Sequence, residues 1–285
     1  MAKGGDVKQE KITFGGKGTE PGKFQSISGV AVSTDNEIFV TDELNKRVQV
    51  FSMDGTFLRL FPTVLPGERK TMLEPHGVAL DVAPGYLWVV VRRRIWFRYE
   101  DHIVQYNKNG RPIKKFDVSL KNQLYSVIAM DVRNNKIIVG DKSTIMLLDP
   151  NGSRLWTSEV GSFESNGISG VTSDKEGNVL LTDGYKSVYK YNPYGVKILE
   201  FGTRGRGEGQ LYSPRGICLD TSGHIIVASF HTHRVDMFTS QGKFVRTIAD
   251  ISHPENVAMG PCGELVVSSV FYNTVTIFPR QMVLP

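Results

Sequence analysis

The sequence predicts an all-β fold, a six-bladed β-propeller of four-stranded antiparallel blades, and three observations carry that prediction. First, the chain repeats itself. Phe201–Ile248 lies without a gap over Phe14–Phe61 at an offset of 187 residues, with 15 of 48 positions identical. Ordinary residue frequencies would give roughly 3. Second, the landmark of the leading run recurs in each unit, at Gly29, Gly77, Val127, Gly170, Gly216 and Asn256, with spacings of 48, 50, 43, 46 and 40 residues. A period of about 45 residues with four strands per unit is the pattern of propeller blades. Third, the sixth unit lacks a fourth strand, while KITFG at 11–15 is a fourth strand with nothing before it. A ring in which the N-terminal strand completes the last blade accounts for both facts; an open solenoid accounts for neither.

Taken in order, each unit offers four runs rich in Val, Ile, Phe and Tyr, separated by turn residues, as an antiparallel meander requires. The first has GVAV at 29–32, EIFV at 37–40 and RVQVF at 47–51, then the turn Asp54-Gly55 and FLRLF at 57–61. The second has GVAL at 77–80, YLWVVV at 86–91 and HIVQY at 102–106, then Asn109-Gly110 and PIKKF at 112–116. The third is degenerate: SVIAMDV at 126–132, KIIVG at 136–140, IMLLD at 145–149, Asn151-Gly152 and RLWTS at 154–158. The fourth gives SGVTS at 169–173, NVLLTD at 178–183, VYKYN at 188–192, Tyr194-Gly195 and KILEF at 197–201. The fifth leads with GICLD at 216–220, and the sixth gives ENVAMG at 255–260, ELVVSSV at 264–270 and TVTIF at 274–278. Residues 1–10 read as a flexible segment and 11–285 as a single domain.

A chain of 285 residues buries enough surface to need no covalent staples. Its two cysteines, Cys218 and Cys262, exclude a four-thiolate zinc site. Two free thiols in a reducing compartment is the favoured reading, with a single disulfide between them left open. The opening MAKGGDVKQE lacks the apolar core of a signal peptide, and no apolar run reaches membrane-spanning length. A soluble, cytoplasmic protein is expected, with no membrane partner. The net charge of +5 permits nucleic acid without requiring it.

The segments FGGKGTEPGKFQSISGV at 14–30 and NKRVQVF at 45–51, the latter after Thr41-Asp42, resemble the NHL repeat, as does FGTRGRGEGQLYSPRGI at 201–217. The resemblance covers essentially the whole chain and is weakest in the third unit. It is similar to the C-terminal propellers of tripartite-motif (TRIM) ubiquitin ligases, in which such a domain binds RNA or protein downstream of a RING, B-box and coiled coil. This sequence contains no cysteine–histidine cluster and no long heptad. The resemblance therefore implies a non-catalytic recognition fragment, monomeric when isolated, with no cofactor and no metal. RNA is the expected partner, as a hairpin or single-stranded element; DNA is not expected. The alternative is a protein-interaction module recruiting substrates for ubiquitination.

In an up-and-down blade, the loop between strands two and three and the inter-blade connector share one face, here called the top. The top loop of the second unit, RRRIWFRYED at 92–101, is about twice as long as its equivalents. Arg92, Arg93, Arg94 and Arg98 interleave there with Trp96, Phe97 and Tyr99. Guanidinium groups for phosphates and aromatic faces for unpaired bases are the ingredients of RNA recognition. The bland alternative is a hairpin extended beyond the ring, with Ile95 and Phe97 packed and the arginines solvated. Tyr185, Lys186, Phe230, His231, His233 and Tyr272 fall at equivalent top positions, and Arg215 and His76 precede leading glycines, facing the channel mouth. In a protein-binding reading, Trp96, Phe97, Phe230 and Phe271 become apolar anchors. A third reading, a metal-dependent hydrolase or lyase, would use Asp42, Asp141, Asp183, His76 and His231. Against it, a short carboxylate at a strand end ordinarily accepts loop N–H bonds.

Overall fold

The computed structural model describes residues 10–68, 71–96, 98–120, 126–160 and 167–284. Phe97, the first nine residues, and parts of the connectors at 62–76, 117–125 and 161–168 lie outside these.

Among the described residues, twenty-four strands form six four-stranded antiparallel sheets. The chain opens with β1 (Ile12–Gly15). Blade 1 is β2 (Ile27–Val32), β3 (Glu37–Asp42), β4 (Arg47–Ser52) and β5 (Phe57–Pro62), from the channel outward. Blade 2 is β6 (Glu74–Leu80), β7 (Tyr86–Ile95), β8 (Arg98–Asn107) and β9 (Pro112–Val118). Blade 3 is β10 (Ser126–Asp131), β11 (Lys136–Asp141), β12 (Thr144–Leu148) and β13 (Arg154–Glu159). Blade 4 is β14 (Gly170–Ser173), β15 (Val179–Thr182), β16 (Val188–Tyr191) and β17 (Lys197–Phe201). Blade 5 is β18 (Pro214–Leu219), β19 (Ile225–Ser229), β20 (Arg234–Phe238) and β21 (Phe244–Asp250). Blade 6 is β22 (Pro254–Met259), β23 (Leu265–Ser269) and β24 (Thr274–Phe278), completed by β1 in the order β1-β24-β23-β22.

The N-terminal strand thus closes the ring, with Ile12 opposite Ile277 and Gly15 opposite Thr274. Phe14 then lies over Phe51 with ring centroids 4.5 Å apart, so the closing strand is tied to blade 1 as well as to blade 6. A short helix, α1 (Arg280–Val283), follows the last strand and was not expected from the sequence. Arg246 donates to the carbonyls of Met282, Val283 and Leu284 and holds that helix against blade 5.

Six apolar clusters form the core, each bridging one blade boundary. Successive side chains of a strand point to opposite faces, so a middle strand between two blades must be apolar at every position. In β3, Ile38 and Val40 enter the cluster shared with blade 6, while Phe39 enters the one shared with blade 2. This is why EIFV and IIVA read as unbroken apolar runs. The outer strands have one wet face and alternate, as β5 does with its exposed Leu58 and Leu60.

The leading glycines let the innermost strands converge. A Cβ on Gly29 would lie 2.9 Å from the His76 carbonyl oxygen, and one on Gly77 3.0 Å from that of Ser126. The residues beside them staple neighbouring blades. Ser28 Oγ donates to the Pro75 carbonyl at 2.8 Å and Thr41 Oγ1 to that of His76 at 2.8 Å. Ser169 and Thr182 repeat this between blades 4 and 5, on the carbonyls of Pro214 and Arg215 at 2.7 and 2.5 Å.

Candidate functional site

Two side-chain assemblies occupy the top face, on opposite sides of the ring. The larger runs across blades 4, 5 and 6. Blade 5 supplies a single 3-10 turn, Phe230–Thr232, followed by His233 in a left-handed conformation with φ of 59°. The ring of His231 lies 4.9 Å from Tyr212 and 5.0 Å from Phe230. Phe230 in turn meets His253 at 4.9 Å, and His253 stacks on Phe271 at 4.8 Å with an interplanar angle of 21°. Phe271 meets Tyr272 at 5.6 Å, and these two are 68% and 55% exposed. His233 lies 4.3 Å from His253, whose backbone N–H donates to His233 Nδ1 at 3.2 Å.

Cations are threaded through these rings. The Arg204 guanidinium lies 5.0 Å from the Tyr185 ring centre and 4.7 Å from that of Tyr212, donating to both hydroxyls at 3.2 Å. Arg206 stands 5.9 Å from Tyr212, and Lys186 5.7 Å from Tyr185. Arg215 is buried, 5.4 Å from the Phe230 ring and 3.6 Å from Glu255. Burial and then the Arg215 charge hold His231 below the ordinary histidine pKa; burial and then His233 do the same for His253. Both are therefore largely neutral at neutral pH and present ring faces rather than charge.

The structure thus brings together Tyr185, Lys186, Arg215, Phe230, His231, His233 and Tyr272. It adds Arg204, Arg206, Tyr212 and His253, which sequence reasoning did not single out. The signal for His253 was present: His253-Pro254 occupies the place of Ser213-Pro214, and both leading residues take positive φ, 49° and 57°. Arg204 and Tyr212 lie in the connector GTRGRGEGQLY, whose agreement with the repeat disguised its departures from Lys17 and Gln25.

The second assembly is the blade-2 hairpin. Of the two readings of the ten-residue segment, the extended hairpin is the one observed: β7 and β8 pair in register as far as Ile95 opposite Arg98. Two of its arginines do not stand as expected. Arg92 is 2% exposed and its Nε donates to Asp101 Oδ1 at 2.6 Å, with the guanidinium 5.3 Å from the Tyr99 ring. Its burial at the foot of the hairpin removes it from solvent and from phosphates. Arg93 pairs with Glu68 of the connector. Ile95 is half-buried; Arg94, Trp96, Arg98 and Tyr99 are exposed.

Between the assemblies lies the channel mouth, a cavity of about 250 Å³ whose lining includes Ser28, His76, Ser126, Ser169 and Glu255, each the residue before a landmark. Burial, with the nearby Arg92 charge, pushes the His76 pKa down to about 3. Burial raises that of Glu255, against the pull of Arg215.

Two of the aspartates weighed as metal ligands, Asp183 and Asp42, accept hydrogen bonds from their own loops and strands. Asp183 Oδ1 accepts the N–H groups of Tyr185, Lys186 and Ser187 at 2.8–2.9 Å. Asp42 accepts from Gln25 N, Asn45 and Arg47 at 2.7–2.8 Å. No group of three or more potential metal ligands occurs among the described residues. In the same residues Cys218 and Cys262 are unpaired, and no helix is long and apolar enough to cross a membrane.

The chain matches the NHL repeat at residues 24–51 and 211–236, within the two units that superimpose at an offset of 187. It is 31% identical over 156 residues to Protein brain tumor of Drosophila melanogaster, covering 52% of this chain and 14% of that protein. It is 30% identical over 145 residues to E3 ubiquitin-protein ligase TRIM71 of Rattus norvegicus, covering 44% and 17%. Over 48 residues it is 46% identical to Protein lin-41 of Caenorhabditis elegans, covering 17% and 4%. The matched part spans less than a fifth of the length of these relatives. Among solved structures, a Bacteroides thetaiotaomicron protein of unknown function superimposes with a TM-score of 0.70 at 13% identity, covering 94% of this chain and 76% of that one. A streptogramin B lyase does so with 0.65 at 11%, covering 94% and 96%. At such identities the likeness is one of fold alone. Six four-stranded blades with NHL repeats in the two units most alike make this chain an NHL-repeat β-propeller, similar over part of its length to Brain tumor and TRIM71.

Proposed function

We propose that this propeller is the non-catalytic recognition domain of a TRIM-NHL-like protein acting in the cytoplasm. Its ligand is RNA, a hairpin loop or single-stranded element, bound on the top face across blades 4 to 6. One observation carries the reading: a chain of ring contacts from Tyr212 to Tyr272, joined to Tyr185 through the Arg204 guanidinium, with Arg206 and Arg215 also set against its rings. Aromatic faces stack on unpaired bases of any sequence, and guanidinium groups hold the phosphates between them. The exposed rings of Phe271 and Tyr272 and the exposed Arg206 are placed to meet ligand; Arg204 is pre-oriented by its two tyrosines. Blade 5 supports this chemically, since the TDELNK of blade 1 has become ASFHTH and two carboxylates have left the face.

The test is anisotropy of a labelled unstructured RNA against the purified chain over a salt series. Arg204→Ala with Arg206→Ala should weaken binding and flatten the slope of log affinity against log salt by about 0.7 for each phosphate no longer neutralised. An affinity and slope unmoved by the pair would remove this face as the RNA site. The ubiquitin-ligase activity named for TRIM71 enters only as the setting of the longer protein, in which this domain would select the target.

A further inference from the structure

We infer that the blade-2 hairpin is a separate docking arm for protein: Trp96, Arg94 and Arg98 at its tip bind an acidic linear segment carrying a bulky apolar side chain. The inference stands apart from the RNA reading, because blade 2 lies opposite blade 5 in a ring of six and the channel mouth separates them.

The arm is built for projection. β7 and β8 are ten residues each, against four to six in the middle strands of the other blades. Its base is fixed by the buried Arg92–Asp101 pair and by Arg93 on Glu68. The tip has no such tethers: among the described residues neither Arg94 nor Arg98 makes an ion pair, and Trp96 is 86% exposed. Residues facing each other across a ribbon share a side, so Arg94, opposite Tyr99, and Arg98, opposite Ile95, flank the indole on the two sides of the hairpin.

Trp96 is held at φ of 53°. The same turn takes positive φ at Lys46, Lys142, His233 and Asn273, and blade 4 places Gly184 in its loop. The other blades carry lysine, histidine or asparagine in this conformation, so the exposure sets Trp96 apart: an indole 86% exposed is not there for packing. A large apolar ring that the described residues leave 86% exposed at the tip of a projecting hairpin points to a ligand. Tryptophan and arginine on a pre-ordered element are what binding hot spots are made of.

Charge selects protein over RNA. The hairpin and its tether hold four arginines against Glu68, Glu100 and Asp101, an excess of one positive charge. Counterion release from phosphates needs several free cations, and two of these arginines are already paired. Two free arginines astride an apolar surface instead complement carboxylates on either side of an aromatic or large aliphatic residue.

A displayed library of random linear peptides, panned on the purified chain, tests this. Retained peptides should carry Asp or Glu around an aromatic or large aliphatic residue. Their affinity should fall on the order of tenfold or more with Trp96→Ala or with Arg94→Ala plus Arg98→Ala, and stay unchanged with Arg204→Ala. Trp96→Gly serves as a second variant that the turn conformation favours, so loss of binding with an unaltered melting temperature separates recognition from folding. Absence of such peptides, or retention indifferent to both Trp96 variants, overturns the proposal. So does a tenfold loss of unstructured-RNA affinity in Trp96→Ala, which would give the arm to RNA; failure of RNA binding altogether would leave the arm's peptides untouched.

Discussion

Asp236 in blade 5 takes the place of Asp42 in blade 1, although the two are not equivalent in the repeat. Arg47 and Arg234, 187 residues apart, each donate to three connector carbonyls: Thr19, Glu20 and Lys23 for one, Arg206, Gly207 and Gln210 for the other. Those carbonyls are themselves 187 apart. The carboxylate facing Nε differs in origin. It comes from Asp42 at 2.8 Å in blade 1 and from Asp236 at 2.7 Å in blade 5. Asp236 is the counterpart of Gln49, and Ser229 the counterpart of Asp42. The charge has moved from the strand end into the neighbouring strand, which leaves the arginine clamp intact and the top loop free of its acid.

Asp236→Ala should therefore destabilise the chain by about 3–5 kcal/mol, the range for breaking a buried pair by removing one partner. The double change Ser229→Asp with Asp236→Gln recreates the blade-1 arrangement and should recover most of that loss. Urea unfolding of the single and double variants measures it, and a double variant no more stable than Asp236→Ala would contradict the equivalence.

Acid should act on the fold through His76. Its folded pKa, about 3, lies below the ordinary 6.5, so the folded state binds fewer protons than the unfolded state between these values. Stability then rises with pH through that window and falls as pH drops from 6.5 toward 3, by at most about 1.4 kcal/mol per pH unit from this one group. His76→Asn should flatten the dependence of the melting temperature over that range. A slope identical in the two proteins would mean that other groups set it.

On the candidate RNA face, Tyr272→Ala should cost about 1–3 kcal/mol of RNA affinity, the usual loss for one base-stacking ring. Its ring is exposed and its removal should leave the melting temperature in place. Because His231 and His253 titrate below the ordinary histidine range, affinity should be level from neutral to mildly alkaline pH and tighten on acidification below 6.5. Competition titrations at fixed salt and varied pH read both effects; weaker binding in acid would go against the assignment.

Trp96→Gly should leave the melting temperature unchanged or raise it, since glycine accepts the left-handed turn that the indole resists and the side chain it removes is solvent-exposed. A marked drop would show that Trp96 is part of the packing of blade 2.

Much of the fold was legible because it is written repeatedly in local terms. Short apolar runs, turn glycines, the leading landmark of each unit (glycine in four of six) and the orphan strand at the start need only neighbours in sequence or a fixed offset to be read. The mismatches between the two most similar units separated scaffold from site where ASFHTH replaces TDELNK. The blade-2 segment, in contrast, read equally as a long loop or as an extended hairpin, because the arginines and aromatics that extend its strands carry no periodic signature of their own.

The sequence by itself determined the number of blades, the closure of the ring and the acid-poor, aromatic turn of blade 5. Tertiary structure decided which of the basic and aromatic residues can act together. It buried Arg92 against Asp101, tethered Arg93 to Glu68, and set Arg204 between two tyrosines from different blades. It also brought His253 from one connector under Phe230 and Phe271 from two loops. The reason is physical: strand pattern is a local property of the chain, whereas burial, ion pairing and ring contact depend on which blade edges the closed ring places side by side.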